Sequence, residues 1–173
     1  MSVVPGDPAS LSACARTARA VAARLTERGA GVSAASTTLA EGWPGRGSST
    51  TRRRLDDLGA ATTTTADELD RVGAVLQDHA TDLADLVARA RGIEERARAA
   101  GLEVRDGRVA IGWGVTGPAD ALADRSRDEV RTGLQAELDL VLAQHRRRRD
   151  WVLSVLRDST ASLFHVSHRL RSG

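Results

Sequence analysis

The 173-residue chain has no Tyr, one Phe and three Trp, so aromatics make up only 2% of it. A thick globular core built on aromatic rings is therefore not expected. Lys is absent, and all 25 basic residues are Arg. The single Cys14 excludes an internal disulfide and a Cys-rich zinc site. No apolar run approaches the roughly 20 residues that a membrane-spanning helix needs. The opening "MSVVPGDPASLSACARTARA" has neither a basic n-region nor an apolar h-region, so no cleavable signal peptide is expected.

Hydrophobic residues still amount to 41%. Much of that share is Ala, a small residue that favours close helix–helix contact. The 25 basic residues are offset by 23 acids, leaving a net charge of +2. The sequence pI near 9.8 follows the missing Lys more than a basic surplus. It is a weak argument for nucleic acid.

Periodicity predicts a helix over 7–40, with Asp7 as N-cap and Pro8 at the first helical position. Leu11, Ala18, Leu25, Val32 and Leu39 recur every seven residues. Cys14, Val21 and Ala35 are read as the second seam position, with Arg28 as the exception. Gly29 and Gly31 invite a bend there. A longer helix is predicted over 47–100, capped by Ser48 or Ser49. One of its seams is Leu55, Thr62, Leu69, Leu76, Leu83, Ala90 and Ala97. The other is Leu58, Thr65, Val72, His79, Leu86, Ile93 and Ala100. The "ATTTTA" run at 61–66 is a place to fray, and Gly101 closes the helix.

At 102–113 the period falls to two. Asp106-Gly107 predicts a tight hairpin in which Val104 opposes Val109 and Leu102 opposes Ile111. Trp113 continues that apolar face. A breaker cluster follows, and Thr116 with Pro118 opens a third helical stretch from 118 to about 170. Its apolar residues, from Leu122 and Val130 onward, recur at three- and four-residue spacings. It is either one helix or two hinged near "HRRRRD". The fold class expected is mainly α: an elongated antiparallel helical hairpin (1–101), a β-hairpin and linker (102–117), and a helical region packing back on it (118–173).

The joint between the first two helices reads "GWPGRG", with Trp43, Pro44 and Gly45 at its centre. This resembles the Trp-x-Gly turn of the WxG-type proteins exported by bacterial type VII secretion. The Gly-Asp-Pro opening and "TADELDRVGAVLQDHATDLADLVARA" resemble the N-terminal secretion-signal domain of larger actinobacterial substrates of that system. The resemblance covers roughly residues 5–100, and Trp43-Pro44-Gly45 is its sharp motif. It implies a non-enzymatic secretion substrate or accessory protein. Trp43, Pro44 and Gly45 would then form an interaction surface, with another helical WxG-like protein or a second copy as partner. A secretion ATPase or a toxin is a further partner it implies. The family commonly carries a Tyr with an acid four residues later; here His79 stands about there, with Leu83 at the acid's place. The alternative is a cytoplasmic helical adaptor or chaperone for a neighbouring toxin. The expected localisation is accordingly secreted without a cleaved signal peptide, or cytoplasmic.

Other candidates are weaker. Arg146–Arg149 are consecutive, so on a helix they ring the axis and do not make a one-sided patch for nucleic acid. Only Trp151 is near for base stacking. His165 and His168 share a helix face, but no third or fourth ligand is evident, so no metal is expected. No phosphate loop, nucleophile elbow or triad spacing appears. Neither a cofactor nor an enzymatic activity is expected.

Overall fold

The computed structural model describes residues 3–42, 45–112 and 121–172. The described residues form three helices, α1 (Pro8–Gly42), α2 (Arg46–Ala99) and α3 (Ala121–Ser172), and one hairpin of β1 (Leu102–Arg105) and β2 (Arg108–Ile111). The protein is mainly α with a small antiparallel β-hairpin, as the periodicities predict. Thr116, Pro118 and Trp113 lie outside the described residues, as do Trp43 and Pro44. The chain divides into two compact units: Met1–Pro8 with His79–Trp151, and Ala9–Asp78 with Val152–Gly173.

In the second of these units α1 packs on α2 through small residues. Leu11, Ala18, Leu25, Val32 and Leu39 are half-buried, as their spacing predicts. The other seam position is shifted by one residue. Ala15, Ala22 and Ser36 are the buried residues of α1, whereas Cys14, Val21, Arg28 and Ala35 are exposed. The reason is backbone proximity. A Cβ added at Gly73 would lie 3.0 Å from the Ala15 carbonyl oxygen, and one at Gly29 would lie 3.3 Å from Thr62 Cγ2. Ala, Gly and Ser fit such a gap; a Val side chain does not. Gly29 therefore sits mid-helix as a contact residue, and α1 is a single helix through it.

Leu76, Ala15 and Val152 form the core of this unit, with Leu11, Val72, Val75 and Leu156 against them. Polar clips flank it. Ser12 Oγ donates to Gln77 Oε1 at 2.9 Å, Ser36 Oγ to Asp56 Oδ1 at 2.8 Å, and Arg71 to Ser159 Oγ at 2.8 Å. The four-Thr run does not fray. Thr62, Thr64 and Thr65 donate their hydroxyls to the carbonyls four residues back, and Ala61 and Ala66 are buried on either side. Leu58, expected in the seam, is exposed.

In the first unit α2 presents Leu83, Leu86, Ala90, Ile93 and Ala97, all buried, and α3 presents Leu134, Leu138 and Val141. Arg96 and Glu137 pair in two contacts at their surface. Val4 is fully buried and the Val3 N–H reaches Glu94 Oε1. Gly6, at φ +121, crosses so close to Leu83 that a Cβ would sit 2.9 Å from its Cδ2. Only Gly combines that backbone angle with that approach.

Gly101, at φ +70, ends α2 as expected. The hairpin register is Leu102 opposite Ile111 and Val104 opposite Val109. Positive φ at both Asp106 and Gly107 makes the turn type I′. Leu102 and Val109 are buried, but Ile111 is 57% exposed. The hairpin is held by Gln135 of α3. Its Oε1 accepts from the Val109 N–H at 2.7 Å and its Nε2 donates to the Gly107 carbonyl at 3.3 Å. A two-stranded ribbon is marginal alone, so this clamp explains why it persists.

The stretch expected at 118–170 is one helix, not two. Its buried positions, Leu134, Leu138, Val141, His145, Val152, Ser159 and Val166, are three or four apart up to His145 and seven apart from there on, through the Arg run. Val130, expected among them, is exposed.

Candidate helix-association site

The sequence places the candidate site at the joint of α1 and α2. Trp43 and Pro44 lie outside the described residues, and Gly45 is the described member of the motif. Gly45 is exposed at φ +147, in the positive region that Gly tolerates and other residues avoid. It acts as the N-cap. Its carbonyl accepts the Ser49 N–H at 3.2 Å and the Ser48 hydroxyl at 2.8 Å. Ser48, fully buried, thus lies inside the first turn. The expected cap at Ser48 or Ser49 falls three or four residues too late. A glycine cap carries no side-chain oxygen, so a search for Ser, Thr or Asp passes over it.

From this joint the two helices run side by side as far as the Ser12–Gln77 bond. Arg19 and Asp70 pair at 3.3 Å on its surface. Glu68 is a half-buried acid of this unit. Burial alone would raise its pKa, but hydrogen bonds from Arg71, Ser159 and Ser162 outweigh that and hold it below the usual carboxylate range.

A second feature lies in the other unit. His79 of α2 and His145 of α3 are both buried, and neither Nδ1 has a hydrogen-bond partner among the described residues. Burial pushes the His79 pKa down, and His145 and Arg148 push it further, against the pull of Asp82. Burial likewise lowers His145, helped by Arg149 and Arg146. Both imidazoles are therefore neutral at pH 7. The Arg148 Nε lies 2.5 Å from Asp82 Oδ2. That Nε is buried without an aligned hydrogen bond, so the contact is an ion pair by proximity. The Arg148 guanidinium also stacks 4.6 Å from the Trp151 ring centroid. The Arg run is thus not uniformly solvated: Arg146, Arg147 and Arg149 are exposed, and Arg148 is turned into the seam.

His165 and His168 are exposed, and among the described residues no three His, Cys, Asp or Glu are grouped to hold a metal ion. No described helix is long and apolar enough to cross a membrane. Exposed large apolar side chains remain on α3: Leu140 and Trp151 in one unit, Leu153, Phe164 and Leu170 in the other. The three- and four-residue spacing of the apolar residues in this helix does not single these out, because spacing alone leaves the buried face unspecified. No protein-family model, no curated protein and no solved structure matches the chain.

Proposed function

We propose that this is a non-enzymatic, WxG-like protein that works by helix-to-helix association as a substrate or accessory protein of a type VII secretion system. The observation that carries the reading is the joint itself. Gly42 ends α1 and Gly45 caps α2, on either side of Trp43-Pro44 in the sequence, and the two helices pack through Ala15, Ala22, Gly29 and Ser36. Such a seam holds a slim helical pair with little aromatic filling, and its outer faces stay available for another helix. The test is export. A tagged chain is produced in a host with a type VII system and in the same host lacking its secretion ATPase. The reading expects the protein in the culture supernatant of the first host and in the cells of the second. Equal retention in both would contradict it.

One observation favours the alternative, a cytoplasmic adaptor or chaperone for a neighbouring toxin. The positions where the family carries its Tyr and acid are occupied by His79 and Leu83, both buried. Side chains held in the core are poor export signals. Retention in the cell together with a stable one-to-one complex with the neighbouring gene's product would establish this alternative.

A further inference from the structure

A groove runs along the first turns of α2 and meets the end of α3, inside the unit formed by Ala9–Asp78 and Val152–Gly173. It encloses about 760 Å³. Its α2 wall runs from Thr50 through Arg53, Arg54 and Asp57 to Ala61. These residues are three, four, seven and eleven apart, one continuous helix face about 16 Å long. The α3 wall is shorter, from Val166 to Arg169 and Leu170.

Charge on these walls is one-sided. Three guanidiniums, Arg53, Arg54 and Arg169, face a single carboxylate, Asp57. None of the three makes an ion pair or hydrogen bond with a described residue. Arg19, Arg71, Arg96, Arg131 and Arg148, by contrast, are each paired with an acid. Below the arginines lie Ala61, Val166 and Leu170. Ala61 and Val166 are buried and Leu170 is 46% exposed. Small Ala residues on this wall allow a third backbone to come close, as Ala15 does for α1 on α2.

We propose that this groove docks an amphipathic helix of a partner protein, with apolar residues on the exposed Ala60 and Leu170 and carboxylates on Arg53, Arg54 and Arg169. The inference rests on the association part of the reading above and not on export. Charge complementarity selects the occupant: three arginines with one carboxylate beside an exposed Leu170 suit acids flanking an apolar stripe. An amphipathic helix carries such a stripe at three- and four-residue spacing. An acyl chain needs a continuous apolar wall, and here Arg and Asp interrupt it. A nucleic-acid strand gains nothing from Asp57 and finds no aromatic side chain in the lining.

The test uses the purified full chain and a fluorescein-labelled helical peptide of about 18 residues, long enough to form a helix. Its apolar face is Leu and its flanks are Glu; a control peptide carries Lys in place of Glu. Fluorescence anisotropy is expected to show saturable binding of the Glu peptide, weakened by added salt. Binding should fall about tenfold or more in the double variant Arg53→Glu, Arg54→Glu and separately in Arg169→Glu. Ala60→Trp, which fills the groove without changing charge, should also weaken it. Thermal melting identifies any variant that does not fold, and the remaining variants then decide. The proposal is overturned if the Lys peptide binds equally well, if the Glu peptide does not bind, or if all the folded variants bind like wild type. It is also overturned if phosphatidylglycerol vesicles or single-stranded DNA bind through the same arginines while the Glu peptide does not. Peptide binding needs no secretion system. A chain that binds but is never exported would refute the secretion reading and leave the groove standing.

Discussion

Leu76 shares one cluster with Ala15 of α1 and Val152 of α3, so a charge at that position has no water and no partner. Leu76→Asp is expected to cost several kcal/mol, roughly 3–5, enough to unfold a marginal domain. Thermal melting checks this, and an unchanged midpoint would contradict the seam register. The two buried imidazoles give a second expectation. Their folded pKa values lie below the ordinary value of about 6.5, so below that pH the unfolded chain binds protons that the folded chain resists. Stability is then full above pH 6.5 and is lost as pH falls below it. The double variant His79→Leu, His145→Leu should lose less stability between pH 7.5 and about 5 than wild type, as read by urea midpoints. Parallel midpoints in the two proteins would remove the histidines from the account. Glu68, whose folded pKa is lowered, acts at lower pH: its contribution is present above about 4.5 and is lost as pH falls through its folded value.

At the scale of elements, the α1–α2 contact sets which glycines matter. Gly73→Ala improves helix propensity by about 1 kcal/mol, yet its Cβ would meet Arg19 Cγ at 2.4 Å and the Ala15 carbonyl at 3.0 Å. Overpacking of this kind typically costs 1–3 kcal/mol, so a net loss of roughly 1 kcal/mol is expected. Gly31→Ala meets nothing within 4 Å and should stabilise by up to about 1 kcal/mol. Denaturant midpoints of opposite sign are the check, and equal shifts would contradict the close approach. The same contact explains what was legible in the sequence. The Leu series 76 and 83 and the hairpin register follow from strong hydropathy and from Asp106-Gly107. The second α1 seam does not, because Cys14 and Val21 outrank Ala15 and Gly29 in hydropathy, while backbone proximity selects by size. Arg28 was the one residue that disagreed, and a shift by one position removes the disagreement. His145 and Arg148 in the α3 seam were hidden for a related reason: a run of polar residues masks the phase of the helix it sits in.

For the whole molecule, the fold class follows from three periodicities, but the candidate site depends on what the elements bring together. The Arg53–Arg54–Arg169 groove joins residues more than 100 positions apart, and no local pattern announces it. Exposed Leu140 and Phe164 fit the proposal that this protein associates through helix faces. The most direct test of that proposal is a paired measurement on Trp43→Ala. Melting of purified wild type and variant is compared with the amount of each in the culture supernatant of a host with a type VII system. The account predicts a stability loss of about 1 kcal/mol or less, well below the 3–5 kcal/mol of a buried Trp truncation, together with a severe drop in export. A collapsed melting temperature with normal export of the remaining folded protein would contradict it, because Trp43 would then serve the core and not recognition.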